Sequence, residues 1–102
     1  MATAVALIHE EDGVLGISFP DFPGVVSTGR REDEVLRKGA EALSFHVAGM
    51  IEDGEAVPVP RSLFDLRHDH AYQEASEGAQ VAFVPFEAAR GLPLSARRDL
   101  SP

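Results

Sequence analysis

The stretch Phe19-Pro20-Asp21-Phe22-Pro23-Gly24 constrains this chain more than any other. Each proline fixes φ near about −65° and removes a backbone donor. Two of them this close cannot run through the middle of a sheet. A strand must end before them, and any later strand must start afresh. The flanking residues fit that demand. Residues 4–9 are a short apolar run, and Glu10-Glu11-Asp12-Gly13 is a turn signal, with Asp-Gly the dipeptide that tolerates positive φ. Residues 14–19 follow as a second strand, so the two runs read as a β-hairpin. In that second run Leu15, Ile17 and Phe19 share one face, and Val14, Gly16 and Ser18 the other. Gly16 marks either a close approach or a bulge. Residues 25–29 resume a short β-rich run, which makes an antiparallel meander.

A helix comes next. Leu36, Ala40, Leu43, Val47, Met50 and Ile51 are spaced 4, 3, 4, 3 and 1 apart, the 3.6-residue period over about four turns. Leu36, Leu43, Val47 and Ile51 are its expected core contacts. Glu32, Asp33 and Glu34 fall in the first turn, where the helix dipole favours acids. Asp53-Gly54 is the stop. Gly39 and Gly49 lie inside the helix and cost up to ~1 kcal/mol each against alanine; close packing on the sheet and plain tolerance both account for them. After the extended, proline-broken residues 56–60, Ser62 can cap a short helix over 63–67. Residues 68–79 read as a polar loop. Residues 81–86 form a last strand, whose Pro85 argues for a strand end or a sheet edge. The expected class is α+β: an antiparallel β-meander with one long helix packed on it, a further strand and a short second helix.

Composition narrows function. With 102 residues the chain is one domain, or one domain with a tail. It has no cysteine, which excludes disulfides, thiolate metal sites and a cysteine nucleophile. No apolar run approaches the ~18–20 residues of a membrane span, and residues 1–7 lack the basic start of a secretory signal. Seventeen acids against nine bases give a net charge of −8, a poor basis for binding phosphate backbones. Residues 1–60 carry −7 of it, with 11 acids against four bases. His68-Asp69-His70 offers at most half a zinc site, since a closed site needs three or four ligands. His46, between Phe45 and Val47, reads as a helix-surface or partly buried residue. No Gly-x-Ser-x-Gly elbow or phosphate-binding glycine loop is present. Glu10, Glu11 and Asp12 read as a solvated turn. Asp21 is the most constrained acid, fit to close a turn or to meet a partner. The acidic front half is either a face for a basic partner or a solvated surface.

Ile8-His9-Glu10-Glu11-Asp12-Gly13, then Gly16 through the Phe-Pro-Asp-Phe-Pro-Gly element to Gly24, then Ser27-Thr28-Gly29, resembles the N-terminal domain of HicB-type antitoxins. Glu41-Ala42-Leu43 and Glu52-Asp53-Gly54-Glu55, followed by Pro58 and Pro60, fit the same pattern. The resemblance covers about residues 4–60 and extends weakly to 86. It implies a partial ribonuclease-H-like fold without nuclease carboxylates, no cofactor and no catalytic group. It also implies a cytoplasmic homo-oligomer that masks a small, basic, mRNA-cleaving toxin of the HicA type by stoichiometric occlusion. Partner contact is expected at Asp21, Phe22, Glu32, Asp33 and Glu34. Two rivals are an orphan oligomeric domain with another protein partner, and a metal-dependent nuclease using Asp12 and Asp21. The chain departs from the family at the helix start, where Arg30 and Arg31 cannot cap; Ser27, Thr28 or a shifted start at Asp33 would substitute. Residues 1–86 are expected to be the toxin-masking domain. Residues 87–102 are expected to be a short tail with no complete DNA-binding module, Arg97-Arg98 being too small a basic cluster.

Overall fold

The computed structural model describes residues 2–87; beyond Glu87 the expected tail lies outside them. The elements are β1 (Ala2–Glu11), β2 (Val14–Ser18), β3 (Val26–Gly29), α1 (Glu32–Glu52), α2 (Leu63–Leu66), α3 (His70–Ala75) and β4 (Gln80–Phe86). They build one antiparallel sheet of order β3-β2-β1-β4, with the long helix packed on it and two short ones. The α+β expectation is met. Among the described residues no helix is long and apolar enough to cross a membrane.

β1 is central and covered on both faces, so its buried residues run on from Ala4 to Ile8 instead of alternating. Ala4, Ala6 and Ile8 belong to the core under α1. Val5 and Leu7 face the other way, onto Leu66 of α2 and Tyr72 of α3. Asp12 (φ 54°) and Gly13 (φ 80°) close the β1–β2 hairpin with both central residues at positive φ, the type I′ pattern that Asp-Gly serves best. Gly16 neither bulges nor admits a neighbour. Its pairs with His9 and Thr28 are in regular register, and among the described residues nothing but its own chain neighbours lies within 4 Å of a Cβ placed on it.

The double-proline connector is two consecutive turns. The Phe22 amide donates to the Phe19 carbonyl (3.0 Å) and the Val25 amide to the Phe22 carbonyl (3.1 Å). Each proline takes the second position of its turn. Gly24, at φ 93°, takes the third of the second turn, as a Pro-Gly type II turn requires. Three-residue spacing drops Phe19, Phe22 and Val25 into the core together. The Phe22 ring meets Phe86 edge-on at 5.4 Å.

α1 starts one turn before its first periodic leucine. Its buried stripe is Val35, Gly39, Leu43 and Val47; Leu36 and Ile51 are half-buried against the same core. Arg31 occupies the cap position and makes no side-chain cap bond. None of the expected substitutes caps the helix. Ser27 and Thr28 lie within β3, and Asp33 stands inside the helix, where its carboxylate takes the Glu34 amide (2.9 Å). Glu34 instead reaches back to the Arg30 amide (2.8 Å), one half of a capping box. The other end is a Schellman motif: Glu55 donates to Met50 (2.8 Å) and Gly54, at φ 76°, to Ile51 (3.1 Å).

Ser62 caps α2 as expected, accepting from the Asp65 amide at 3.1 Å. The loop expected over 68–79 is corrected: it contains α3. Asp69 caps it by accepting from Ala71 (2.8 Å) and Tyr72 (3.4 Å), and Tyr72 is its only buried residue. β4 is an edge strand, where Pro85 leaves no central ladder bond unmade.

Arg61 ties three of these segments together. Its amide and Nε donate to the two Asp21 oxygens (2.7 and 2.8 Å), and Nη1 donates to Asp69 (2.7 Å). The Asp21 side chain is only 11% exposed. The Arg61 guanidinium, and after it the Ala71 and Tyr72 amides, hold the Asp69 carboxyl below its usual range. A carboxyl lowered on folding stabilises the fold above its unfolded pKa, about 3.9, and loses that contribution as pH falls through its folded value. Arg61→Met therefore lowers the melting temperature by several degrees at pH 7, and the gap closes as pH falls through the folded pKa of Asp69. Parallel wild-type and variant melting profiles from pH 7 to 2 would sink this account.

Glycine substitutions check the packing. A Cβ on Gly29 would stand 2.9 Å from the Val35 backbone nitrogen, which cannot move without shifting α1. A Cβ on Gly49 would meet nothing within 4 Å among the described residues beyond its own stretch of helix. Gly29→Ala is expected to destabilise by ~1–3 kcal/mol, and Gly49→Ala to stabilise by ~0.5–1 kcal/mol through helix propensity. Urea titration reads both; the same sign for the two would refute the packing described.

Candidate functional site

The acids at the start of α1 are brought together by the fold, and most are already engaged. Gln80 donates to Glu32 (2.6 Å). Asp33 pairs with Arg31 (3.3 Å), and Glu34 with Lys38 (3.5 Å). One turn on, Arg37 pairs with Glu41 (3.6 Å). The Arg30 amide does most to hold the Glu34 carboxyl below its usual range; partial burial opposes it and Lys38 adds to it. All four bases of residues 1–60 lie at this end, between Arg30 and Lys38. The depression here is lined by Arg30, Arg31, Asp33, Glu34 and Arg37. This surface is mixed in charge, not acidic.

Asp21 and Phe22 lie elsewhere, past the far end of β2. Asp21 is committed to Arg61. Phe22 is 1% exposed, so its ring belongs to the core and presents no surface to a partner. Asp12 sits in the hairpin turn at the opposite end of β2, about 16 Å of strand away by rise alone. Asp12 and Asp21 do not converge as a metal-dependent nuclease would need. Nor do the two histidines meet as a ligand pair. His68 Nδ1 contacts the Phe64 carbonyl oxygen (2.8 Å) with its ring against Phe64, and His70 faces Glu74 (3.2 Å). Among the described residues no group of three or more His, Asp or Glu could hold a metal ion.

A groove of about 440 Å³ runs between α1 and the start of β3. Gly24, Val25 and Val26 form one wall. Ala42, Phe45, His46, Gly49 and Met50 form the other, and Asp53 and Glu55 close one end. Sequence periodicity missed it. Phe45 falls off the buried stripe and is 83% exposed, against an expected place for an aromatic in the core. The available signal was an aromatic two residues from Leu43, on the wrong side of the helix. A second apolar surface lies on β4. Val81 and Phe83 point away from α1, pair with Leu7 and Val5 of β1, and are 36% and 58% exposed.

Comparison with known proteins places this arrangement. The family described as HicB-like antitoxin of bacterial toxin–antitoxin systems matches residues 4–92. The structure of the N-terminal domain of the Burkholderia pseudomallei antitoxin HicB is similar at TM-score 0.70 and 32% identity, over 83% of this chain and 98% of that one. The longer structure of the same antitoxin is similar at TM-score 0.69 and 33% identity, over 83% of this chain and 63% of that one. An uncharacterised 14.9 kDa protein of the rep–hol intergenic region of Haemophilus phage HP1 is 45% identical over 58 residues, 57% of this chain and 43% of that protein. The match thus spans less than half the length of the phage relative. With a family pattern running over most of its length, the chain belongs to the HicB-like antitoxins of bacterial toxin–antitoxin systems.

Proposed function

We propose that this protein neutralises a small, basic, HicA-like mRNA-cleaving toxin by binding it one to one and covering its RNA-binding surface. Membership of the antitoxin family carries the reading, and charge supports it. A toxin that grips RNA must be basic. This chain, at −8, attracts such a protein and repels the nucleic acid the toxin would bind. The action is non-enzymatic and needs no cofactor: occlusion requires only a surface. Since the target of the toxin is mRNA, the place of action is the cytoplasm.

Self-association belongs to the same reading. β4 is an open edge, and Val81 and Phe83 leave an apolar strip beside it. Such edges pair readily unless they are covered. Burying that strip between copies gives a homo-oligomer while leaving the α1 face clear.

Two measurements test these statements. Co-expression with the HicA-type toxin encoded beside it is expected to restore growth, and the purified pair to elute as an equimolar complex. Absence of rescue with every neighbouring toxin candidate would refute the antitoxin role. Phe83→Lys is expected to lower the mass found by light scattering without changing the fold; an unchanged mass would place self-association elsewhere.

A further inference from the structure

We infer that the groove between α1 and β3 is where the toxin docks, receiving a large apolar side chain flanked by lysine or arginine. This rests on the antitoxin reading above and names the surface that performs it. Three observations converge on the groove. Phe45 stands at its rim almost fully exposed, the kind of aromatic that anchors interfaces. Gly49 lies on the same wall, in mid-helix, and among the described residues nothing beyond its chain neighbours and the adjoining helix backbone comes within 4 Å of the Cβ position. Gly39 is different: Ile17 comes within 2.8 Å of its Cβ position, so the sheet itself requires that glycine. The described residues give Gly49 no such reason, and a partner approaching the helix backbone does.

The third observation is charge. Glu52, Asp53 and Glu55 stand at the C-terminal end of α1, where the dipole disfavours acids, and the last turn holds no base. None of the three enters an ion pair among the described residues. The acids at the other end of the helix sit among four bases. The unbalanced end is therefore the one beside the apolar groove, and its complement is a basic segment. A second copy of the chain fits less well, because it brings the same net negative charge to an uncompensated acidic rim. The apolar anchor would lie between Phe45 and Val26, with the basic flank toward Asp53 and Glu55.

The test is the affinity of the full chain for the paired toxin in an inactivated form, at low and high salt. Gly49→Leu fills the groove from open space and favours the helix, so the fold should persist while affinity falls at least about 100-fold. Phe45→Ser is expected to cost about 10–100-fold. The double change Asp53→Asn with Glu55→Gln is expected to cost about 10-fold at low salt and to flatten the salt dependence. Glu32→Gln with Asp33→Asn, at the balanced end, should change affinity less than about 3-fold. If the wild-type chain binds while Gly49→Leu and Phe45→Ser both stay within about 3-fold of it, the groove is not the docking surface, and the antitoxin reading stands. If Gly49→Leu changes the oligomeric mass and leaves toxin affinity alone, the occupant is a second copy and the inference is overturned. If the wild-type chain binds no toxin, the antitoxin reading fails and takes the occupant with it. Should either groove variant misfold, the salt dependence of the Asp53, Glu55 double variant decides alone, and an unflattened slope overturns the proposal.

Discussion

Three side chains set three residues apart hold this fold together. Phe19, Phe22 and Val25 enter the core from two successive proline-led turns. The prolines preset the backbone, so little entropy is lost in ordering the connector, and each turn delivers one apolar side chain inward. Phe22 meets Phe86 at the end of β4. The same connector sends Asp21 outward to Arg61, which also holds the cap of α3. One six-residue element thus closes the α1 side of the sheet and ties down the layer on its opposite side. Asp21 is short enough to be buried beside its partner and polar enough to demand one.

Legibility in the sequence followed locality. The hairpin, the meander, the helix period, its stop at Asp53-Gly54, the Ser62 cap and the edge position of β4 rest on neighbours within a few residues. All were readable from turn chemistry and spacing. α3 was missed because one buried residue, Tyr72, has no period; only the Asp69 cap signalled it. The first turn of α1 was legible from Glu32, Asp33 and Glu34, but not the core place of Val35, which is fully buried and precedes the leucine that opens the regular spacing. The burial of Phe22 is not legible from a Pro-rich connector, because the turn geometry that buries it depends on which residue takes each turn position. Asp21 could not be resolved between turn and partner, since its true partner lies 40 residues away.

The candidate surface was harder still to read. Net charge is additive along a sequence, but the local balance is set by folding. The helix start looked acidic because Glu32, Asp33 and Glu34 are consecutive. In space Arg30, Arg31, Arg37 and Lys38 share that end and pair with much of it. The other end looked ordinary, and there Glu52, Asp53 and Glu55 find no base among the described residues. A 21-residue helix separates the two ends by about 30 Å at 1.5 Å per residue, several screening lengths at physiological salt. The bases at one end therefore do nothing for the acids at the other.

Elsewhere among the described residues most local choices agree with the global fold, the uncapped Arg31 and the exposed Phe64 and Phe83 apart: glycines at positive φ in turns, a proline on an edge, a Schellman stop, serine and aspartate caps. Around the α1–β3 groove they do not. An exposed phenylalanine and a mid-helix glycine to which the described residues give no packing reason share one wall, and acids at the negative end of the helix close the groove's end. Each alone is tolerable and costs little, by helix propensity or dipole about 1 kcal/mol or less. Their coincidence is what separates function from drift, because sequences that are otherwise locally consistent concentrate their exceptions where something other than folding selects the residue. The preference for stability would have placed alanine at position 49, a polar residue at 45 and a lysine near 52. A basic, apolar-tipped partner reverses each of those preferences: it needs the missing side chain as space, the phenylalanine as contact area and the acids as counter-charge.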